Sequence, residues 1–211
     1  METDVSSDSP HYPDIRDPRV MVAVPRERRA ALAALWALAE RLTKLLQDAR
    51  EPLIGQIKLA WWRDMMAMLA SDPVALPKGE PLLAELQASW SGQGGLDTLV
   101  DAAEVMLLTE EDAARRDAAA NFGEVLFRLS GGGDGARWGL LWGAGLQEGA
   151  QQARQLLADA RDRQAPGRVS FGGNRALLML DRWAAAIASR DGERRWRSEG
   201  LLLFRIGLTG R

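Results

Sequence analysis

The chain has 211 residues, 46% of them hydrophobic and 27% charged, which suits a soluble globular protein of one domain with a sizeable core, or of two small ones. Its formal net charge of −2 provides no overall basic field for nucleic acid or anionic lipid. Cysteine is absent, which excludes disulfides, thiolate metal sites and a cysteine nucleophile, and the lone histidine, His11, argues against a Ser-His-Asp triad or a multi-histidine metal site.

Residues 1–24 open "METDVSSDSPHYPDIRDP", an acidic, Pro- and Ser-rich stretch without periodicity. A flexible N-terminal arm is expected there, ahead of a helical domain over 25–211. The stretch is the reverse of a basic signal-peptide start, and no apolar run approaches the ~18 residues of a membrane span. A cytoplasmic protein is expected, at most peripheral to the inner face of the membrane.

From there on Ala, Leu, Arg, Glu and Gln dominate and β-branched residues are few, so helix is expected nearly throughout. Leu32, Leu35, Trp36, Ala39, Leu42 and Leu46 recur at spacings of three and four, which predicts a helix over 26–49 with one apolar face. Pro52 suits the first turn of a second helix, 52–70. There Ile54, Ile57, Trp61, Met65 and Met68 form one stripe, with Trp62, Met66 and Leu69 beside it. "SDPVALPKGEP" (71–81) is a break. Helices are then expected over 80–90, 95–108 and 109–130, followed by a flexible turn at "SGGGDG" (130–135). A Gly-rich helix over 136–163 carries Gly139, Gly143, Gly145 and Gly149. Each glycine costs a helix ~1 kcal/mol relative to alanine, so the run signals close backbone packing or room for a ligand. Helices over 173–189 and 193–207 close an all-α, single-domain bundle.

Few segments carry chemistry on their own. The turn at 130–135 lacks both the Lys-Ser/Thr and the preceding strand of a phosphate loop. "DTLVD" sets Asp97 and Asp101 one helical turn apart, with Glu104 in line. That is a solvated acidic face, or a Mg²⁺ site if a phosphate completes the shell. "EEDAARRD" (110–117) reads as an exposed helix start laced with ion pairs.

The segment "VPRERRAALAALWALAERLTKLLQDAREPLIGQIKLAWWRD" resembles the opening of the squalene/phytoene synthase family. Pro25 with Arg28 or Arg29 fits its lead-in and "ALWAL" (34–38) its aromatic helix. "IGQIKLAWWRD" (54–64) fits the family's "IG..RL.WWR" element, with Lys58 in place of the usual arginine. The likeness continues more loosely through "LDTLVDAAEVML", "FGEVLFRLSGG", "WGAGLQ" (142–147) and "FRIGLTGR". It implies a helical bundle of the isoprenoid synthase type, shortened, around a central cavity. It also implies an enzyme that joins prenyl diphosphates, using Mg²⁺ held by two DxxxD motifs.

The chain departs from the family at those motifs. Counting from "ALWAL", the first aspartate pair falls on Thr43 and Gln47, and Asp48 lies one residue late. Counting from Gly143 and Gln147, the second falls on Arg154 and Ala158. Without carboxylates there, ionisation of a diphosphate loses its main electrostatic support. The resemblance therefore points to a non-catalytic member, similar to the branch that assists assembly of respiratory NADH dehydrogenase (complex I). Such a protein would act on a respiratory-chain partner or hold an isoprenoid or lipid, with no cofactor. Arg28, Lys58, Trp62 and Gln147 are the candidate ligand contacts. Two alternatives stand beside it. One is an active Mg²⁺-dependent prenyltransferase whose metal site has moved to Asp97, Asp101, Asp159 and Asp162. The other is a helical protein-interaction module without a ligand, which a filled bundle centre would favour.

Overall fold

A computed structural model describes residues 12–49 and 51–210, and these are all-α. His11 lies outside them. The ten α-helices are α1 (Pro18–Met21), α2 (Arg29–Asp48), α3 (Pro52–Ser71), α4 (Pro81–Trp90), α5 (Leu96–Leu108), α6 (Asp112–Leu129), α7 (Ala136–Ala144), α8 (Ala150–Asp162), α9 (Arg175–Ala188) and α10 (Trp196–Thr209). Local chemistry sets several starts. Pro52 and Pro81 occupy first turns, where a missing N–H costs nothing. Asn174 caps α9 by accepting from the Leu177 N–H.

The predicted apolar face of α2 is buried through Leu32, Leu35, Trp36, Ala39 and Leu42. In α3 the buried side differs from the expected stripe. Leu59, Trp62, Met65, Met66 and Leu69 face inward, whereas Ile54, Ile57 and Trp61 lie outward, Trp61 with 41% of its surface exposed. This helix is apolar on most sides, so its periodicity alone did not single out the core face.

The Gly-rich region shows the close packing that its composition suggests. Gly123 of α6 meets Gly139 of α7 and the Gly135 carbonyl backbone to backbone, and a methyl at Gly123 would come within 2.6 Å of the Gly139 nitrogen. The predicted helix 136–163 is broken, however. Helix α7 ends at Ala144 and α8 begins at Ala150, so Gly145 and Gly149 belong to the connection.

The 130–135 turn and the described part of the expected N-terminal arm, residues 12–24, are tied down, while residues 1–11 of that arm lie outside the described residues. Residues 12–24 pack onto the bundle, with Ile15, Val20 and Val24 buried. The Pro13 carbonyl accepts from the Trp138 indole at 2.7 Å, and Arg16 bridges Asp14 and Glu40. At the 130–135 turn, the Ser130 hydroxyl accepts from the Trp36 indole (3.0 Å) and donates to the Leu126 carbonyl (2.8 Å). The Ser130 carbonyl in turn accepts from Arg28 (3.2 Å) and Asn174 (3.0 Å). Scarce local periodicity hid both anchors, because their partners are remote in sequence.

Aromatic side chains pack together in the core. Phe122 stacks on Trp142 at 4.0 Å between ring centroids, Trp142 lies 6.5 Å from Trp138, and Trp36 meets Trp138 edge-on at 5.1 Å. One ion pair is buried alongside. Arg137 donates to both oxygens of Asp181 at 2.9 and 3.0 Å, and also to the Ala160 and Arg163 carbonyls.

Candidate functional site

A surface concavity lies at one end of the bundle, where α2, α5 and α7 finish and α3, α6 and α8 begin. It consists of two adjoining clefts of about 330 and 380 Å³ that share Arg115, Gln147 and Gln152. The first is polar, with Arg116, Gln151, Gln155 and Asp159 on its walls. The second has an apolar side made by Leu46, Pro52, Met106, Leu107 and Leu146, and a carboxylate, Glu148, on its rim.

Arg115 sits at the junction. Its guanidinium donates to the Thr109 carbonyl (3.3 and 3.0 Å) and to the Gln147 amide oxygen (3.3 Å). Gln147 is held in turn by its bond to the Gly143 carbonyl at 2.8 Å. Arg115 makes no ion pair among the described residues, so its charge is oriented but not neutralised. Asp159 accepts from Gln155 at 3.3 Å, while its Oδ2 is buried without a hydrogen bond and faces Arg116 at 3.6 Å. A cation beside an apolar wall suits an amphiphile with an anionic head. Among the described residues, no hydroxyl or amine nucleophile paired with a base lines either cleft.

Of the predicted contacts, only Gln147 lies in this site. Lys58 is exposed on α3. Trp62 is buried, with Arg41 over its ring at 5.8 Å. Arg28 is spent on the Ser130 turn. Sequence reasoning missed Arg115, because "EEDAARRD" reads as a solvated helix start and the carbonyls that orient this arginine lie in the preceding loop and beyond.

The degenerate motif positions divide. Thr43 is buried, donates to the Ala39 carbonyl at 2.7 Å and accepts from the Trp142 indole at 3.0 Å. Gln47 and Asp48 are exposed at the end of α2. Arg154 is exposed and bonds back to the Ala150 carbonyl of its own helix, and Ala158 is half-buried.

The four relocated carboxylates do not converge. Asp97 accepts from the Gly95 N–H, and Asp101 is held with Glu104 by Arg63. Asp159 faces Arg116, and Asp162 pairs with Arg161 at 3.0 Å. Among the described residues no three Asp, Glu or His side chains gather to hold a metal ion.

No family model, curated protein or solved structure matches the chain.

Proposed function

We propose that the chain is a non-catalytic protein of squalene/phytoene synthase type that acts by binding a protein partner, in the manner of a respiratory-chain assembly factor. The observation that carries the non-catalytic part is the bond from the Trp142 indole to Thr43. Thr43 stands where the resemblance places the first metal-binding aspartate, and the indole stack occupies the space beside it. A buried hydroxyl satisfied by a carbonyl and an indole leaves nothing to gather Mg²⁺, which demands several hard oxygen ligands. The assembly role is carried by the resemblance.

The test is to supply farnesyl and geranylgeranyl diphosphate with Mg²⁺ and to follow diphosphate release. The expected result is no release above the protein-free rate. Turnover that disappears on substituting Asp159 or Asp162 would instead establish the relocated metal site.

The cleft at Arg115 favours a second reading, a binding site for an isoprenoid or lipid with an anionic head. Farnesyl diphosphate without Mg²⁺ should then raise the melting temperature, and Arg115→Gln should cut that shift by more than half. Inorganic diphosphate should give a smaller shift, because it leaves the apolar wall unfilled. Equal shifts for both ligands, or a shift indifferent to Arg115, would remove this reading.

A further inference from the structure

Charge is divided unequally along the chain. Residues 161–211 hold eleven arginines against five acidic residues, while residues 1–160 hold sixteen basic residues against twenty-four acidic ones. The basic part includes α10, whose surface is unusual. Its buried side, formed by Glu199, Leu203 and Ile206, packs against the bundle. At 100° per residue, Leu201, Phe204 and Leu208 fall on the opposite side within an arc of about 60°. They are 72%, 66% and 67% exposed. Arg197 and Arg205 share that outer face. The only acidic residue of α10 is Glu199, which is fully buried.

The end of α10 adds further positive charge. Arg168 and Arg175 donate to the Thr209 and Gly207 carbonyls at 3.4 and 2.8 Å, and complement the negative end of the helix dipole. These two arginines, with Arg197 and Arg205, form no ion pair among the described residues.

We infer that the outer face of α10 is a docking surface for an anionic lipid bilayer. The helix lies flat, sinks Leu201, Phe204 and Leu208 below the headgroups, and sets its arginines among the phosphates. This is the arrangement of an interfacial amphipathic helix, in which apolar burial and attraction to anionic lipid act together. Long arginine stems let the guanidiniums stay in the polar layer while the apolar side chains descend. A second copy of the chain fits poorly. A two-fold contact sets the same patch against itself, here arginine against arginine with no carboxylate between them. The low net charge of the whole chain hides this surface. Local rather than total charge governs it, since exposed charges act over only about 10 Å at 0.1 M salt.

The test is vesicle pelleting of the full chain with phosphatidylcholine alone, and with about a quarter of it replaced by phosphatidylglycerol. Binding is expected only to the anionic vesicles, and it should fall as salt is raised. Phe204→Glu with Leu208→Glu should weaken it more than about tenfold. Arg197→Gln and Arg205→Gln should each weaken it roughly fivefold. Ile57→Glu, on the exposed side of α3, should leave it unchanged. Circular dichroism should show all these variants folded, because the altered side chains are exposed. The inference is overturned if the native chain binds neither vesicle, or binds both equally. It is also overturned if the Phe204/Leu208 variant binds as well as the native chain, or if the native chain is a dimer that this variant makes monomeric.

Discussion

Replacing Gly139 with alanine is expected to lower the unfolding free energy by about 3 kcal/mol, the upper end of what one added methyl in a filled core usually costs. The new carbon would press on the Ala119 carbonyl and come within 2.9 Å of the Gly123 nitrogen. Both are backbone atoms of α6, so no rotamer change relieves the overlap. The two helices must separate, and Trp138 and Trp142 move with α7. Gly123→Ala should cost a similar amount from the other side of the contact. Gly207 is the control. It lies in α10 with nothing within 4 Å of an added methyl, so alanine there should stabilise by about 0.5–1 kcal/mol through helix propensity. Urea unfolding of the three variants measures the contrast directly.

Arg137→Met should lower stability by about 3–5 kcal/mol, because it removes one partner of a buried charge pair. The side chains of Arg137 and Asp181 are 4% and 2% exposed. Burial pushes the Asp181 carboxyl above its ordinary range, and the Arg137 and Arg182 guanidiniums oppose that push. Without Arg137, Asp181 keeps only Arg182 at 2.7 Å. Its proton then binds more tightly in the folded chain than in the unfolded one. Stability of the variant should therefore rise as pH falls from neutrality toward the ordinary carboxylate range near pH 4. The double variant Arg137→Met/Asp181→Leu should recover only part of the loss. The Ala160 and Arg163 carbonyls would still lack their donor, at about 1–3 kcal/mol each if left unsatisfied. Adding the single variant Asp181→Leu completes a double-mutant cycle that yields the coupling.

The sequence conveyed some of this architecture and concealed the rest for identifiable reasons. Helix α2 ends within three residues of its predicted limits, because Leu32 to Leu42 repeat at a clear helical spacing on one face. In α3 the same spacing picks out a stripe of which Ile54, Ile57 and Trp61 point outward while Met65 is buried. A helix apolar on most sides yields its length but not its orientation. The break between α7 and α8 is hidden in the sequence because Gly145 and Gly149 resemble Gly139 and Gly143, which do serve helix packing. Residues 12–24 carry Ile15, Val20 and Val24 at spacings with no period, so only their three-dimensional neighbours explain their burial.

The site was less legible still. Gln147, which lines both clefts, stands out in the sequence through the likeness of "WGAGLQ" to a family motif. Arg115 acquires its place from Thr109 and Gln147, and the second of these lies 32 residues away. The outer face of α10 could have been found by asking why Leu201, Phe204 and Leu208 flank a helix whose buried side is formed by Glu199, Leu203 and Ile206.

The Ser130 junction bears on how the chain reaches its native state. One residue there joins groups separated by 94, 102 and 44 positions. Contacts of such long range form slowly, since chain entropy is lost before they repay it. During synthesis the first two partners, Trp36 and Arg28, emerge well before Ser130, and Asn174 follows a further 44 residues later. A nascent chain halted before α9 would hold α2 and α6 with this knot half tied. The last of its hydrogen bonds, from Asn174, can form only once α9 has left the ribosome.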